Sequence, residues 1–232
     1  MTTMKALQVS TMALLLLVQS SSAQVRLGLT AGMNFSQADQ SNFYYTKASS
    51  TTGVALGALL DCPITKHVSL LVEPTYVEKG TSAQPMDFTG VVPKVTFNLS
   101  YLELPLLVKY SVGNDLRPYL MFGPSLGINL SSSVGAQISG PWFGELDVVA
   151  GNRGMVRDIE CSVELGGGVS YQLDEILAVF VEARYTHALN SVLRQSGVFV
   201  SAANESVFAG VQNNAVYRNT GVVLLFGFSI PL

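Results

Sequence analysis

The sequence has little charge, few cysteines and histidines, and no long apolar run after its first residues. Charged residues make up 12% of the chain, about half of the roughly 25% that is usual in globular proteins. The net charge is -3, so no basic surface for nucleic acid is expected. Two Cys and two His, widely separated, provide neither a disulfide framework nor the ligand spacing of a metal site. The sequence therefore predicts no metal, no cofactor and no nucleic-acid partner.

A helical membrane protein is also excluded by the lack of a long apolar run. The longest candidate after the amino-terminal region is "GVVLLFGFSIPL" (221–232), which Gly and Pro interrupt. A membrane-spanning helix needs about 20 predominantly apolar residues. Any passage through a bilayer must therefore use strands.

The amino terminus has the pattern of an export signal. Lys5 precedes a compact apolar segment at 12–18, and the small residues that follow end at Ala23. This order of a positive residue, an apolar core and a small-residue cleavage site is typical of secretory signal peptides. We predict a signal peptide over residues 1–23 and a single domain over residues 24–232.

The mature chain alternates apolar and polar residues with period two, which is typical of β-strands with unlike faces. In "YLELPLLVKY" (101–110), one set of alternate residues is purely apolar. The other set contains Glu103 and Lys109, and Pro105 between them is expected at a bulge or irregularity because it lacks a backbone donor. Eight segments show such alternation: 25–35, 53–62, 68–80, the segment containing 101–110, 116–131, 158–171, 177–189 and 221–232.

The connections between these segments alternate between short and long, which is the pattern of bacterial outer-membrane barrels. Backbone groups inside a bilayer must all be paired, so the sheet must close on itself. The sequence thus predicts an all-β fold, an eight-stranded antiparallel up-and-down transmembrane β-barrel with short periplasmic turns and long extracellular loops. The short turns are 63–67, 111–115 and 172–175, and the long loops are 36–52, 80–94, 131–157 and 190–215.

The apolar face of each strand is expected to contact lipid, and the face with Glu103 and Lys109 the lumen. An eight-stranded barrel is only wide enough for side chains to fill. Because an unpaired charge in a confined interior is costly, these two residues should pair with charges on neighbouring strands, where Lys79 and Arg117 are the candidates. The predicted lumen charge network is Glu73, Lys79, Glu103, Lys109, Arg117, Glu160, Glu164, Glu182 and Arg184, with Arg26 on the same face.

Two other readings of the sequence stay open. One is a soluble lipocalin-like ligand-binding barrel with charge outside, which the low charge content disfavours. The other is a rim-sited lipid acyl hydrolase or transferase that uses His187 with Ser191 or Ser196, although no G-x-S-x-G motif is present. Cys62 and Cys161, on strands that are not neighbours, are expected to be free thiols.

Four stretches together resemble the PorT-type outer-membrane β-barrel family that is common in Bacteroidetes. They are "GLTAGMNFS", "LLVEPTYVEKG", "YLELPLLVKY" and "RPYLMFGPSLG". The resemblance covers most of residues 24–232, and its most specific part is the pairing of the last two stretches across a short turn. It implies an outer-membrane barrel and, from the founding member, a link to protein secretion. The ending "FSIPL" departs from the aromatic last residue of many such barrels.

These observations predict a barrel in the cell outer membrane with a structural or interaction role and no enzymatic activity. Its expected partners are outer-membrane lipid and, as candidates, secretion or cell-envelope proteins. A single chain suffices to close such a sheet, so a monomer is expected. A role as a secretion accessory is the nearest alternative.

Overall fold

A computed structural model describes residues 24–41, 46–85, 92–140, 144–151, 156–192, 200–202, 205–207 and 216–232. The predicted signal peptide, residues 1–23, lies outside these residues. Within them, no helix has the length and hydropathy that crossing a bilayer requires.

The described chain consists of β-strands joined by turns. The strands differ widely in length, and the longest comprise 20 and 25 residues. The strands are β1 (Arg26–Ser41), β2 (Thr46–Pro63), β3 (Val68–Val72), β4 (Thr75–Pro85), β5 (Val92–Ser111), β6 (Leu116–Gly140), β7 (Gly144–Gly151), β8 (Ile159–Gln172), β9 (Ala178–Ala188), β10 (Val200–Ala202), β11 (Glu205–Val207) and β12 (Val216–Pro231).

Ten of the described strands form one antiparallel sheet that closes on itself. Its order is β3-β5-β4-β2-β1-β12-β9-β8-β6-β7, and the pairings of β3 with β2 and of β5 with β6 complete the ring. Within this sheet β3 and β4 lie end to end, as do β7 and β8, and the other strands that follow one another lie side by side, as in an up-and-down barrel. The first and last long strands also pair, from Arg26 opposite Pro231 to Ser41 opposite Val216. Closure leaves the ring without an open edge.

The strands are staggered around the ring. Register partners followed from Val169 of β8 through β9, β12, β1, β2, β4, β5 and β6 return to β8 at Ile159, ten residues away. A closed sheet requires such a stagger because its strands tilt relative to the barrel axis. Residues at the same height along the barrel axis are therefore not the register partners of one another on successive strands.

The prediction of four long loops was wrong over much of their length. The described parts of 36–52, 80–94 and 131–157 mostly continue the sheet, since β1, β2, β4, β5 and β6 run into them and β7 pairs with the far end of β6. The segment 190–215 contains the small β10–β11 hairpin. The Ser, Thr and Asn content of these four segments suggested loops. A strand that leaves the bilayer, however, has water on its outer side and needs no apolar face there.

The outer surface carries an apolar band. On β5 the side chains of Leu102, Leu104, Leu106, Val108 and Tyr110 are each 42–54% exposed. The same alternation places exposed apolar side chains on β1, β2, β6, β8, β9 and β12. A tilted strand needs about 9–11 residues to cross a bilayer, which is the span from Leu102 to Tyr110. A continuous apolar belt of this size contradicts the soluble-barrel alternative.

Three prolines on adjacent strands lie where the sheet pairing is interrupted. Pro74 separates β3 from β4. Pro105 borders a gap in the pairing of β5 with β6, and Pro124 lies within that gap. No register shift occurs at this gap, because Pro105 opposite Ser125 and Val108 opposite Phe122 are in the same register. Proline has no N–H to donate, so the ladder loses bonds without gaining a residue. The irregularity expected at Pro105 is thus an interruption and not a bulge.

The turn between β8 and β9 is held by a side chain. Asp174 Oδ1 accepts the backbone N–H groups of Ile176 and Leu177 at 2.7 and 2.6 Å. These hydrogen bonds hold the pKa of the Asp174 carboxyl below its usual value, because they favour the ionised form. The turn lies outside the apolar band.

We expect the Asp174 turn to lose stability in acid. Because the folded-state pKa of Asp174 is lowered, its contribution is complete above the unfolded-state pKa and disappears as pH falls through the folded-state pKa. Asp174→Asn should abolish this dependence for the amides of Ile176 and Leu177. A titration of their amide NMR shifts in detergent micelles measures it, with Glu175→Gln as the control. An unchanged titration in Asp174→Asn would contradict the assignment.

Candidate functional site

The inward faces of the strands form a polar core that is rich in acidic and basic side chains. Glu73 is 0% exposed and Arg184 is 4% exposed. Buried charges are tolerated only when they are paired and hydrogen-bonded. Seven of the residues that the sequence assigned to the lumen are buried there: Glu73, Lys79, Glu103, Glu160, Glu164, Glu182 and Arg184.

Arg184 of β9 connects three carboxylates. Its Nη2 donates to Glu73 and to Glu182, and its Nη1 lies 3.8 Å from Glu164 Oε2. Thr30 Oγ1 donates to the second Glu73 carboxylate oxygen at 2.8 Å. The planar guanidinium suits this role because it presents several donors in fixed directions. Arg184 therefore binds β9 to β8 and, across the lumen, to the Glu73 segment between β3 and β4.

Lys79 of β4 is the second connecting cation. Its Nζ lies 2.5 Å from Glu103 Oε1 and 2.7 Å from Glu160 Oε1. Asn219 Nδ2 donates to the other Glu160 oxygen at 2.6 Å. The Lys79 ammonium also lies 5.4 Å from the centre of the Tyr101 ring, within the range of a cation–π contact. The structure thus places Lys79, one of the predicted partners, beside Glu103.

Lys109 and Arg117 are arranged differently from the expectation. Lys109 Nζ pairs with Asp61 Oδ2 at 2.8 Å, and this carboxylate was not among the predicted partners. The two candidates, Lys79 and Arg117, are cations and could pair only with Glu103. Arg117 is exposed, and its Nε donates to the carbonyl of Asn114 at 2.6 Å. It lies at the start of β6, beside the turn, so it is too far along the strand to join the central network. Arg117 is therefore corrected from a network member to a residue at the mouth of the lumen.

Sequence reasoning missed several residues of the core. Asp61 has the inward parity of β2 but was not counted among the lumen charges, although its alternation with apolar neighbours would have identified it. Tyr119 donates to Glu182 Oε2 at 2.7 Å, and its ring lies 4.4 Å from Lys109 Nζ. The position of Tyr119 on the inward face could have identified it as a member of the core network, because a buried hydroxyl needs a hydrogen-bond partner.

Glycines opposite the long side chains make this packing possible. Gly168 of β8 lies in register between Tyr119 on β6 and Glu182 on β9. The hydrogen bond between those two side chains therefore crosses over Gly168. Gly127 lies in the same way between Glu103 and Glu160, which Lys79 joins.

A methyl group at Gly168 should be poorly tolerated. Its Cβ would lie 2.4 Å from the Val181 carbonyl oxygen and 2.7 Å from Tyr119 Cζ. We expect Gly168→Ala to lower the free energy of unfolding by about 1–3 kcal/mol through overpacking. Gly127→Ala is the control, because its nearest contact would be an ordinary 3.4 Å from Tyr101 Cδ1. Urea unfolding in lipid vesicles measures both, and equal losses would contradict the packing argument.

Apolar side chains close the lumen on the side opposite the short turns. Val156 and Val192 precede β8 and follow β9, and the N–H of Arg157 donates to the Val192 carbonyl at 2.7 Å. Both valines are buried against inward residues such as Tyr101 and Leu225. Around Glu103, Glu164 and Arg184 a cavity of about 10 Å³ remains, which is room for about one water molecule. The middle of the lumen is therefore filled.

The residues considered for catalysis and metal binding lie away from this core. The His187 ring stacks on Tyr185 with 6.5 Å between ring centres, and Ser196 lies outside the described residues. Cys62 and Cys161 are free, on β2 and β8, which are not neighbours. In the part of the chain that the structure describes, no group of three or more His, Cys, Asp or Glu residues is arranged to hold a metal ion.

A closed antiparallel sheet with an apolar outer belt and an ion-paired interior defines an integral membrane β-barrel. The chain belongs to the family described as "Outer membrane protein beta-barrel domain", whose model matches residues 18–194. It is an outer-membrane protein. Its predicted localisation is thereby confirmed.

Several solved outer-membrane proteins have similar structures. Neisserial surface protein A is 13% identical, with 89% of this chain and 97% of that chain covered and a TM-score of 0.41. OprG from Pseudomonas aeruginosa is 14% identical, with coverages of 90% and 96% and a TM-score of 0.49. Ail of Yersinia pestis is 9% identical, with coverages of 90% and 100% and a TM-score of 0.37. A search of curated proteins found no match.

Proposed function

We propose that the protein is a monomeric, lumen-closed barrel of eight strands that has an interaction role at the cell surface and no enzymatic activity. The count of eight treats β3 with β4 as one strand, since both pair with β2 and β5. It also treats β7 with β8 as one strand, since both pair with β6. With eight strands and the ten-residue stagger, the strands tilt by about 40° from the barrel axis.

The observation that carries the interaction role is the length of the strands beyond the apolar band. β5 has 20 residues and β6 has 25, about twice the 9–11 that a crossing needs. Above Leu102, the outward residues Ser100 and Asn98 of β5 are polar. A sheet that continues into water presents side chains at a fixed height above the membrane, which supports a binding surface for other cell-envelope proteins.

The test of this role removes part of the extension and leaves the barrel intact. Gly80 and Asn98 are register partners of β4 and β5, so residues 81–97 can be replaced by Asn-Gly, which favours a two-residue hairpin turn. We expect surface crosslinking in whole cells to lose its partner proteins in this variant. The variant must still migrate as a folded barrel in unheated electrophoresis. An unchanged set of crosslinked proteins would reject the role of the β4–β5 extension.

A channel is the functional class that the filled lumen disfavours. The two connecting cations and the carboxylates around them leave room for about one water. The wild-type protein should therefore show no steady open conductance in a planar bilayer. A stable conductance that single substitutions at Arg184 do not alter would reject the closed lumen.

A secretion-accessory role is the second candidate. It is supported by the resemblance of "YLELPLLVKY" and "RPYLMFGPSLG" to PorT-type proteins, and these stretches are paired neighbours in β5 and β6. Deleting the gene and profiling surface-exposed and secreted proteins tests it. If the deletion strain loses secreted proteins and regains them when it expresses the 81–97 replacement variant, that result would favour a secretion role over surface binding.

The absence of enzymatic activity is supported by the surroundings of His187. Its ring contact is with Tyr185, which supplies no base-orienting carboxylate of the kind that a nucleophilic triad uses. His187→Ala should leave the acyl composition of outer-membrane lipid unchanged. A change in acyl chains in this variant, but not in Tyr185→Phe, would support the acyl hydrolase or transferase instead.

A further inference from the structure

The sheet that is closed within the apolar band has an open edge on the side away from the short turns. β7 (Gly144–Gly151) pairs with β6, and no other strand in the described part of the chain pairs with it. β8 lies in line with β7 along β6, and the other side of β8 pairs with β9. β9 ends at Ala188, whose register partner is Ser162 of β8, so it stops short of β7. One side of β7 therefore has no neighbouring strand among the described residues.

The open edge of β7 lies outside the apolar band. β7 pairs with β6 between Ser133 and Gly140, whereas the exposed apolar residues of β6 that belong to the band run from Leu116 to Leu130. On an edge strand, alternate residues direct their N–H and C=O groups away from the sheet. An edge of the length of β7 offers about eight such groups to water or to another strand.

The composition of β7 does little to block this edge. Its sequence, GELDVVAG, contains neither Lys nor Pro, the residues that often prevent pairing at exposed edges. The opposite edge of the extended sheet is residues 46–50 of β2, where pairing continues with β4 but not with β1. That edge is shorter and contains Lys47. The β7 edge is therefore the better template for an added strand.

The charge of β7 is purely acidic, which selects the kind of strand that it can pair with. Glu145 and Asp147 occupy alternate positions, and no basic residue occurs between residues 144 and 151. Opposite charges across neighbouring strands stabilise the pairing, and like charges destabilise it. A strand with Lys or Arg at alternate positions is therefore favoured over an acidic strand.

We propose that the open edge of β7 binds an extended, basic segment of another protein as an added strand. The backbone of β7 supplies the hydrogen bonds, and Glu145 and Asp147 select Lys or Arg at alternate positions of the partner. An extended segment is the occupant because only a strand matches the alternating donors and acceptors of a sheet edge. This inference rests on the interaction role proposed above and names the chemistry of the partner.

Binding is tested with the full mature chain in nanodiscs of zwitterionic phospholipid. The probe is a ten-residue peptide that alternates lysine with threonine. Its controls are the glutamate–threonine counterpart and the same lysine–threonine peptide with two central prolines, which interrupt a strand. Fluorescence anisotropy should show the probe binding about tenfold or more tightly than either control. Amide hydrogen exchange of alternate residues in 144–151 should slow about tenfold or more in the complex.

A charge reversal tests the selection of a basic strand. Glu145→Lys combined with Asp147→Lys should weaken binding of the lysine–threonine peptide about tenfold and make the glutamate–threonine peptide the preferred one. Asp115→Lys combined with Glu175→Lys makes the same change in net charge in the short turns at the other end of the barrel. This control should bind both peptides as the wild type does.

Two proline variants test the backbone contact. Adjacent residues of an antiparallel strand direct their N–H groups to opposite sides. Of Val148→Pro and Val149→Pro, one therefore removes a donor from the open edge and the other removes a donor from the pairing with β6. Amide exchange in β6 identifies the variant that keeps the β6–β7 pairing. That variant should bind the lysine–threonine peptide about tenfold or more weakly than the wild type.

Several outcomes would overturn the proposal. They are the absence of saturable binding, binding without slower exchange in β7, and equal affinity of the charge-reversal variant and the wild type for the lysine–threonine peptide. A dimer of the wild type that the charge reversal abolishes would make a second copy of this chain the occupant instead.

The crosslinking test distinguishes failure of this inference from failure of the interaction role. If the 81–97 replacement loses crosslinked proteins and the charge-reversal variant keeps them, the interaction role stands and β7 is not its contact. If the 81–97 replacement keeps all crosslinked proteins and the charge reversal loses some, the role of the β4–β5 extension is rejected and the β7 edge is supported.

Discussion

Replacing Arg184 with methionine is expected to lower the free energy of unfolding by about 3–5 kcal/mol, the cost of breaking a buried ionic cluster by removing one partner. Arg184 is the cation nearest to Glu73, Glu164 and Glu182, all of which are almost fully buried. Methionine fills a similar volume but leaves these carboxylates without a counter-charge. Urea titration of the protein in phospholipid vesicles, followed by the mobility of unheated samples, measures the loss.

Matched variants separate charge compensation from simple loss of a side chain. Arg117→Met removes the same group at an exposed position and should change stability by no more than about 0.5 kcal/mol. Adding Glu73→Gln to Arg184→Met removes one uncompensated carboxylate and should recover part of the loss. Equal losses in Arg184→Met and Arg117→Met would show that the cluster does not hold the barrel together.

Lysine in place of Leu104 is expected to impair membrane insertion, at a cost of about 2–4 kcal/mol for a cation on the lipid face at the midplane. Leu104 is 48% exposed and lies within the β5 apolar run. Its neighbour Glu103 is only 5% exposed and faces Lys79 in the lumen. The two adjacent positions therefore meet opposite environments. Refolding yield into vesicles of stated lipid composition measures the effect.

The control for Leu104→Lys is the same substitution outside the membrane. Leu173, in the β8–β9 turn, is 54% exposed. Leu173→Lys should insert as the wild type does, because the side chain at this position is in water whether it is leucine or lysine. Insertion of Leu104→Lys at the wild-type yield would contradict the position of the apolar band.

The sequence by itself determined which face of each strand contacts lipid. Strand side chains alternate strictly, so the apolar set that contains Leu104 and the polar set that contains Glu103 cannot both face the bilayer. The same local rule separated Glu164 from Leu165 on β8. Breaks in the alternation also placed the short turns at 63–67, 111–115 and 172–175, and the turn at 111–115 has the Gly, Asn and Asp residues that turns favour. These features depend only on residues near one another in the chain.

The tertiary structure alone decided how the inward charges pair and how far the strands extend. Asp61 and Lys109 approach each other because β3 lies between their strands, and Arg184 reaches Glu73 across the lumen. Such contacts depend on the ten-residue stagger of the closed ring, which accumulates over all its strands. No single strand encodes that stagger. The extensions of β5 and β6 are likewise held by pairing with neighbours: β5 pairs with β4 and β6 beyond the apolar band, and β6 pairs there with β5 and β7.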